Sequence, residues 1–237
     1  MALSISVIIP ALDEERTILV TLAHTASLGF EEIMVVDGGS TDETPVLLES
    51  YRLGTQPSTL SPVQWITAPC GRARQMNEGA KASHGEILLF LHADTELPGN
   101  AKTMIGRALA DHRTVGGWFD VRFDRPSIWG AIISRMMNWR SRLTGIATGD
   151  QALFVRRHVF EQIGGFADIP VMEDIDFSGR LKRMGATVAL TATVMTSFRR
   201  WERKGPLRTI LLMWALRFLY WIGVSPHRLG RLYTAVR

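Results

Sequence analysis

The sequence predicts an α/β fold in which helices flank a mostly parallel sheet, and two observations carry this prediction. Three short runs of branched apolar residues occur in the first hundred positions, at residues 5–10, 33–36 and 87–91. Segments of helical length separate these runs. Short apolar runs in such an arrangement are typical of buried parallel strands joined by crossover helices.

Each apolar run leads into an acidic cluster. The clusters are residues 13–15, Asp37 and Asp94. In an open α/β sheet, ligands bind beyond the carboxyl ends of the strands, so we expect the three clusters to gather along one edge. Carboxylates at that edge suit a ligand with metal ions, amides or hydroxyls better than a bare phosphate.

The remaining elements follow from periodicity and from cap and turn residues. In the N-terminal half we predict helices at residues 14–28, 43–51, 72–82 and 100–111, a strand at 63–67 and a loop at 54–62. In the C-terminal half we predict strands at residues 118–123 and 152–155, an amphipathic helix at 128–144, a helix at 173–184 and an apolar helix at 208–223. The sequence shows no internal repeat and no linker, so we predict one domain at residues 1–204, followed by a helical tail at residues 205–237. Within the domain, residues 1–115 form a first half and residues 116–204 a second half.

Composition indicates a folded protein. The chain has 237 residues, of which 46% are hydrophobic and 21% are charged. Its one cysteine, Cys70, cannot form an internal disulfide, and no signal peptide is apparent at the start. Both features favour a cytoplasmic protein.

The net charge of +4 hides an asymmetry along the chain. Residues 1–100 carry 13 acidic and 5 basic side chains, whereas residues 101–237 carry 10 acidic and 22 basic ones. Six of the seven tryptophans lie in the basic part. This combination favours contact with an anionic membrane surface, although solvated arginines and core tryptophans are the simpler interpretation of any single residue. Charge alone supports nucleic-acid binding, so no nucleic-acid partner is expected.

Five motifs occur in a characteristic order: VIIPALDEE at residues 7–15, VVDGGSTD at 35–42, GRARQMN at 71–77, FLHADT at 90–95 and EDID at 173–176. In this order and spacing they resemble a family 2 glycosyltransferase of the GT-A fold, over roughly residues 4–200. The sequence looks most similar to a small bacterial subgroup with an Arg-Arg-Trp-Glu segment, here at residues 199–202. The resemblance implies a Rossmann-like sheet, a nucleotide-sugar donor, with UDP-sugar favoured, and inverting transfer to an acceptor hydroxyl. It makes residues 1–115 the nucleotide-sugar-binding half of the domain and residues 116–204 the acceptor half.

The resemblance also implies a set of donor-binding residues. They are Pro10, Ala11, Leu12, Glu14, Asp37, Gly71, Arg72, His92, Ala93, Asp94, Asp150, Gln151, Arg200 and Trp201. Asp37 ends its strand where its carboxylate can accept a hydrogen bond from a uracil imide; capping of the turn at 38–41 is the alternative. Leu12 stands where relatives often have an aromatic residue, which leaves an apolar shelf without ring stacking.

A diphosphate in an acidic site requires a divalent cation, Mn²⁺ or Mg²⁺. Asp94 is the best ligand candidate, and Glu96 is a further one. Relatives often carry Asp-x-Asp where this chain has His92-Ala93-Asp94, so His92 is expected to bond the ribose or to be a structural edge histidine rather than a metal ligand. Arg72 follows Gly71 near a helix start, where it can reach the diphosphate as a charged donor or remain solvated.

An inverting transfer requires a base that takes the proton of the acceptor hydroxyl. By resemblance Asp174 is this base and Glu173 orients it, whereas a simple helix-dipole role for both is the alternative. Asp176 is expected to pack or to pair with Arg180. The segment 199–201 resembles a mobile loop of the family, in which an arginine balances the leaving diphosphate and Trp201 stacks on a sugar.

The apolar stretch at 210–224 is 15 residues long and contains Arg217. It is shorter than the roughly 20 residues that span a bilayer. Flanking arginines favour a helix on the surface of an anionic membrane, with a lipid-linked acceptor, and packing on its own domain or on a second copy are the alternatives. The oligomeric state stays open.

Two other functions compete with sugar transfer. A catalytically inactive GT-A-like protein that binds the membrane is supported by His92 and by the basic C-terminal region. The second is a nucleotide-sugar pyrophosphorylase, but the chain lacks the Gly-rich phosphate loop of such an enzyme after its first strand. Dinucleotide binding is excluded because Pro-Ala-Leu-Asp stands at residues 10–13 in place of Gly-x-Gly-x-x-Gly.

Overall fold

A single mixed sheet organises the protein. The computed structural model describes residues 3–54 and 60–236. The strands are β1 (Ile5–Ala11), β2 (Glu32–Asp37), β3 (Val63–Thr67), β4 (Ile87–Phe90), β5 (Thr95–Glu96), β6 (Thr114–Phe123), β7 (Leu153–Arg156) and β8 (Ala186–Thr196). Within these residues the strand order is β3-β2-β1-β4-β7-β6-β8-β5.

Helices connect and cover the strands. They are α1 (Ile18–Ala26), α2 (Thr44–Leu53), α3 (Arg72–Ala82), α4 (Ala101–Ala108), α5 (Ile128–Thr144), α6 (Arg157–Ile163), α7 (Glu173–Leu181), α8 (Arg199–Lys204), α9 (Pro206–Trp221) and α10 (Pro226–Val236). The predicted bounds of β3, α3 and α5 are confirmed. The predicted loop at 54–62 lies mostly outside the described residues.

The N-terminal half of the sheet is parallel. β1 pairs with β2 and β4, and β2 pairs with β3, all in parallel. Ala11, Asp37 and Thr67 stand side by side in this register. The carboxyl ends of the strands therefore meet at one edge, as the sequence predicts.

Both faces of this half are covered, which explains its continuous apolar runs. Val7 and Ile9 pack into a cluster with Ile18 and Leu22 of α1. Ile8, which points to the opposite face, packs with α3 in a second cluster. The alternation follows from the two-residue period of a strand, so β1 anchors both layers.

The C-terminal half introduces antiparallel pairs. β7 runs antiparallel to β4 and β6, and β5 runs antiparallel to β8, whereas β6 and β8 are parallel. The sequence did not predict β5, β8 or α6. β8 reads Ala-Thr-Val-Ala-Leu-Thr-Ala-Thr-Val-Met-Thr, and only Leu190, Val194 and Thr196 of it are buried, so its pattern is weak.

One face of the tail packs on its own domain. Leu216 of α9 and Leu229 of α10 are buried in a cluster with Met172, the residue before α7. The other side of α9 exposes Trp214 and Trp221. Among the described residues, no helix combines the length and apolar character needed to cross a membrane.

The expectation of a loop at 199–201 is wrong, because these residues begin α8. The start of the helix is held from outside. The Asp124 carboxylate accepts the backbone N–H of Phe198 at 2.9 Å, and Arg125 pairs with Glu202 at 2.9 Å.

Candidate active site

The loops after β1 and β2 are tied together by side-chain to backbone hydrogen bonds. The N–H of Asp13 donates to Ser40 Oγ at 2.9 Å, and the N–H of Thr41 donates to Asp13 Oδ1 at 2.8 Å. The N–H of Glu14 donates to Thr44 Oγ1 at 2.9 Å. Asp13 has a left-handed φ of 53°, which these bonds hold in place. The first two acidic clusters thus form one rigid rim.

Asp37 caps the turn that follows β2, as the alternative interpretation of its sequence predicted. Its carboxylate accepts the N–H of Gly39 at 3.1 Å and the N–H of Ser40 at 3.2 Å, together with the Ser40 hydroxyl. The residue is only 2% exposed. Its contact with a nucleobase stays a prediction.

Gln75 of α3 is a positioning residue that sequence reasoning missed. Its Nε2 donates to the carbonyl of Ala11 at 2.7 Å and to that of Val36 at 2.8 Å, and it is 3% exposed. It therefore joins the ends of β1 and β2. The signal was a polar residue among Ala73 and Met76 on the buried face of α3.

Several predicted donor positions are parts of this edge. Ala11 and Ala93 are buried, and the carbonyl of Ala93 accepts the Thr21 hydroxyl at 2.8 Å. Pro10 is partly exposed, and Leu12 is 41% exposed, in keeping with an apolar shelf. Gly71 has a φ of 136°, which favours glycine, and it lets α3 begin at Arg72.

Arg199 is the arginine that the structure brings to the acidic edge. Its Nη2 lies 3.4 Å from Glu14 Oε2 and 3.7 Å from Asp94 Oδ2. The predicted arginine was Arg200, whose side chain lies outside the described part. The Trp201 ring packs edge-on against Phe123, with centroids 6.0 Å apart.

The predicted Asp94–Glu96 metal site is not completed by a third ligand. Across residues 3–54 and 60–236, no three side chains of His, Cys, Asp or Glu form a group that could hold a metal ion. Of the two predicted ligands, Asp94 is the one whose carboxylate lies near Arg199. One carboxylate together with substrate phosphates is a donor set that Mg²⁺ uses in proteins, so Asp94 fits a substrate-borne cation better than a protein cage.

His92 faces the 3₁₀ turn Gly149–Gln151. Its Nδ1 lies 3.0 Å from Asp150 Oδ1. Its Nε2 is buried and has no hydrogen-bond partner among the described residues. A Cβ at Gly149 would collide with the imidazole, so only glycine allows this approach. Asp150 thus orients His92 beside the pocket.

The prediction that Gln151 contacts the donor is corrected by the structure. Gln151 is fully buried, and its Nε2 donates to Ser141 Oγ at 2.9 Å. Its Oε1 accepts the N–H of Thr148 in a capping box. The oxygen and the nitrogen of the Gln151 side chain both form hydrogen bonds within the protein. Gln151 therefore shapes the turn and leaves donor contact to its neighbours.

Asp174 is held by two backbone amides. Its Oδ2 accepts the N–H of Gly149 at 2.8 Å, and its Oδ1 accepts that of Ile175 at 2.8 Å. The carboxylate therefore connects the start of α7 to the His92 turn. Asp176, one residue beyond Ile175, pairs with Arg180, as predicted.

Glu173 is 5% exposed and lies 3.5 Å from Arg72. Burial and the charge of Asp174 raise the pKa of Glu173, and Arg72 only partly opposes them. Burial on its own would lower the pKa of Arg72, but Glu173, Asp150 and Asp174 raise it above the ordinary arginine value. Arg72 is thus a permanent cation with a half-exposed side chain.

These groups converge on one pocket. It is lined by Arg72, Met76, Phe90, His92, Gly149, Leu153, Phe166, Glu173 and Asp174. Apolar side chains form part of its wall, and a cation, an imidazole and two carboxylates supply its polar groups. The predicted catalytic pair and two predicted donor residues therefore share one cavity.

Comparison with known proteins fits this geometry. Residues 6–164 match the family described as Glycosyl transferase family 2. The chain belongs to this family. No curated protein sequence matches it.

Solved structures show the same GT-A fold. S. aureus TarS residues 1–349 in complex with UDP-GlcNAc align with a TM-score of 0.65 and 18% identity over 82% of this chain. The mannosyltransferase PcManGT from Pyrobaculum calidifontis, in complex with GDP-Man and Mn²⁺, aligns with a TM-score of 0.65 and 21% identity over 83%. This chain spans 58% and 57% of those chains.

Proposed function

We propose that the protein transfers a sugar from a nucleoside-diphosphate sugar, with UDP-sugar favoured, to an acceptor hydroxyl with inversion. The observation that carries this proposal is the pocket in which Asp174 lies with Arg72 and His92. A candidate base and a cation for a diphosphate meet there. The solved complexes of TarS with UDP-GlcNAc and of PcManGT with GDP-Man support a nucleotide-sugar donor.

Asp174 acts as the base in this proposal. Its two amide bonds fix the carboxylate, and each oxygen keeps capacity to accept the proton of the acceptor hydroxyl. The hydroxyl oxygen attacks the anomeric carbon, and the bond to the diphosphate breaks with its electron pair on the leaving oxygen. Arg72 stabilises the negative charge that the diphosphate gains.

Asp94 would hold a divalent cation together with phosphate oxygens of the donor. When bound, the cation neutralises diphosphate charge beside the acidic edge. Arg199, 3.7 Å from Asp94, supplies positive charge at the same place. Mn²⁺ in the PcManGT complex supports this cofactor.

A panel of nucleoside diphosphates, with and without Mn²⁺, tests the donor assignment by thermal and calorimetric titration. A ligand at a hundredfold excess over its Kd stabilises the fold by about 2.7 kcal/mol. We expect UDP to bind more tightly with Mn²⁺, and Asp94→Ala to remove that difference. Asp111→Ala, a control at an exposed carboxylate paired with Arg113, keeps it. Equal metal dependence in wild type and Asp94→Ala contradicts the role of Asp94.

The acceptor in this proposal is lipid-linked, and the protein works on the inner, cytoplasmic face of an anionic membrane. Two helices carry the supporting surface. The exposed apolar side chains are Ile128, Trp129, Ile132, Met136, Trp139 and Leu143 on α5, and Leu207, Leu211, Trp214, Phe218 and Trp221 on α9. Aromatic residues next to arginines suit the interface between lipid and water.

A further inference from the structure

Two arginines that experience the charges of Asp174 and Asp150 have no role in the mechanism above. Arg140 lies on α5, beside Ser141, whose hydroxyl accepts a hydrogen bond from Gln151 at 2.9 Å. That bond ties the Arg140 end of α5 to the turn whose Gly149 holds Asp174. The segment of α5 that carries Arg140 is thus linked to the candidate base through the turn at 149–151.

Arg217 approaches the same place from the tail. Its neighbour Leu216 is 2% exposed and packs with Met172, and Ile175 packs against the same cluster. Met172 and Ile175 flank Asp174 in sequence. The packing of α9 therefore brings Arg217 to the start of α7.

The guanidinium of Arg140 is not satisfied by the protein. Its Nε and Nη2 are buried and have no hydrogen-bond partner in the part of the chain that the structure describes. Burial and the charge of Arg217 lower the pKa of Arg140 to about 10, although Asp174 and Asp150 oppose them. Burial likewise lowers the pKa of Arg217. Arg140 is therefore a buried cation with unpartnered donors, and an anion that accepts hydrogen bonds from them would offset the cost of burying them.

Among the described residues, the carboxylate of Asp174 forms no hydrogen bond or ion pair with these two cations. Both of its oxygens accept backbone amides instead. Asp150 in turn bonds to His92. Two guanidinium forks suit a phosphate, which offers several oxygens and up to two negative charges, better than a single carboxylate.

We propose that Arg140 and Arg217 form a phosphate-binding subsite beside Asp174, and that the acceptor carries the phosphate it binds. This inference rests on the proposed function, since it takes Asp174 as the base that meets the acceptor. The subsite and the donor edge are built by different elements. Helices α5 and α9 carry the two arginines, whereas β1, β2, β4 and α3 form the donor edge. It sets the distance between the phosphate of the acceptor and its reacting hydroxyl.

The phosphate can belong to a soluble acceptor or to a lipid headgroup, and the chemistry of recognition is the same. The surface around the subsite is suited to lipid as well. Trp139, adjacent to Arg140, is 66% exposed, and Trp214 and Phe218 beside Arg217 are 63% and 58% exposed. The test therefore has one arm for each source.

The first arm titrates the full chain with inorganic phosphate at constant ionic strength, in the presence of saturating nucleoside diphosphate and Mn²⁺ to fill the donor site. Arg140→Gln and Arg217→Gln are each expected to weaken phosphate binding on the order of tenfold, the loss typical of one charge-assisted hydrogen-bonding group. Arg135→Gln on α5 and Arg208→Gln on α9 are matched controls at exposed arginines and stay within about twofold of wild type.

Arg140→Lys and Arg217→Lys keep the charge but lose the fork, so they are expected to bind phosphate at intermediate strength. Thermal unfolding of every variant confirms that it is folded. Absence of phosphate binding in the wild type, or equal binding in wild type and both Gln variants, overturns the subsite.

The second arm uses vesicles of phosphatidylcholine with and without phosphatidic acid. Loss of phosphatidic-acid binding in both Gln variants supports a lipid phosphate, and loss of inorganic phosphate binding alone supports a soluble phosphorylated acceptor. The nucleotide panel separates this inference from the proposed function. Failure of every nucleoside diphosphate to bind contradicts the donor assignment, whereas nucleotide binding with unchanged phosphate binding in the Gln variants contradicts the subsite alone.

Discussion

The two halves of the site treat charge differently. At the donor edge Asp13 accepts a backbone N–H of the neighbouring loop, Asp37 and Glu14 accept donors of their own loops, and Gln75 joins the strand ends. On the acceptor side Arg140 has buried donors without partners among the described residues. The polar groups of the donor edge are thus satisfied within the chain, whereas the proposed acceptor side leaves buried cationic donors without partners in the part of the chain that the structure describes.

The largest expected effect is on chemistry where the two halves meet. Asp174→Asn should keep nucleotide binding and reduce sugar transfer by at least about 10²-fold, since an amide cannot take the proton of the acceptor. The amide oxygen can still accept one of the two backbone N–H bonds, so the turn at 149–151 is retained. Single-turnover transfer and calorimetry measure the two quantities separately.

Asp176→Asn is the matched control for Asp174→Asn. It lies on the same helix turn, but its carboxylate pairs with Arg180 instead of facing the pocket. It should transfer sugar within a few-fold of wild type. Normal transfer by Asp174→Asn, or equal loss in both variants, excludes Asp174 as the base.

The second effect breaks the donor edge. Gln75→Ala leaves the carbonyls of Ala11 and Val36 without their buried donor and should lower the free energy of unfolding by about 2 kcal/mol. Gln64→Ala, at an exposed position of β3, should change it by less than about 0.5 kcal/mol. Urea unfolding of both variants checks this, and equal midpoints show that the clamp contributes nothing.

The same comparison explains what the sequence could predict. The donor edge follows from apolar runs that end in carboxylates, so β1, β2 and β4 and their common edge were predictable. Arg199 and Arg200 were not distinguishable, because neighbouring residues on a helix point about 100° apart and the helix itself was not expected. Gln151 was misassigned because a motif position does not reveal that the side-chain oxygen and nitrogen both form hydrogen bonds inside the protein.

The acceptor side depends on contacts distant in sequence. Leu216 of α9 packs with Met172 and Ile175, the residues that flank Asp174 within two positions, and no local pattern marks that contact. β8 was missed for a related reason, since its partner β6 lies about seventy positions earlier and buries only part of it. Long-range packing, unlike strand periodicity, leaves little trace in a single sequence.

The third effect concerns the buried carboxyl between the halves. Because the pKa of Glu173 is raised above its ordinary 4.5, its ionisation destabilises the fold. The stability that the protonated carboxyl contributes is fully present below pH 4.5 and is lost as pH rises through the raised pKa. Each tenfold difference in proton affinity between the folded and unfolded states corresponds to about 1.4 kcal/mol. Glu173→Gln should therefore gain stability relative to wild type from pH 4 to pH 7.

Urea unfolding across this pH range measures the difference. Glu161→Gln, on the exposed side of α6, is a matched control whose difference from wild type should stay flat. A difference for Glu173→Gln that shrinks with rising pH would mean that Arg72 stabilises the ionised form more than burial opposes it.

The smallest effect tests the outward surface of the acceptor half. Trp214 and Trp221 are 63% and 80% exposed, on the side of α9 that the rest of the domain does not cover. Moving part of one such side chain into lipid contributes about 1 kcal/mol, so Trp214→Ser and Trp221→Ser should each weaken binding to anionic vesicles about fivefold. Val46→Ser removes an apolar side chain that is 59% exposed on α2, in the donor half, and should leave vesicle binding unchanged.

Cosedimentation at low and high salt separates the two forces, since salt screens arginine contacts with anionic lipid but not tryptophan burial. No binding by the wild type to anionic vesicles at low salt, or equal loss in Val46→Ser, would leave α9 as a packing element and favour a soluble acceptor.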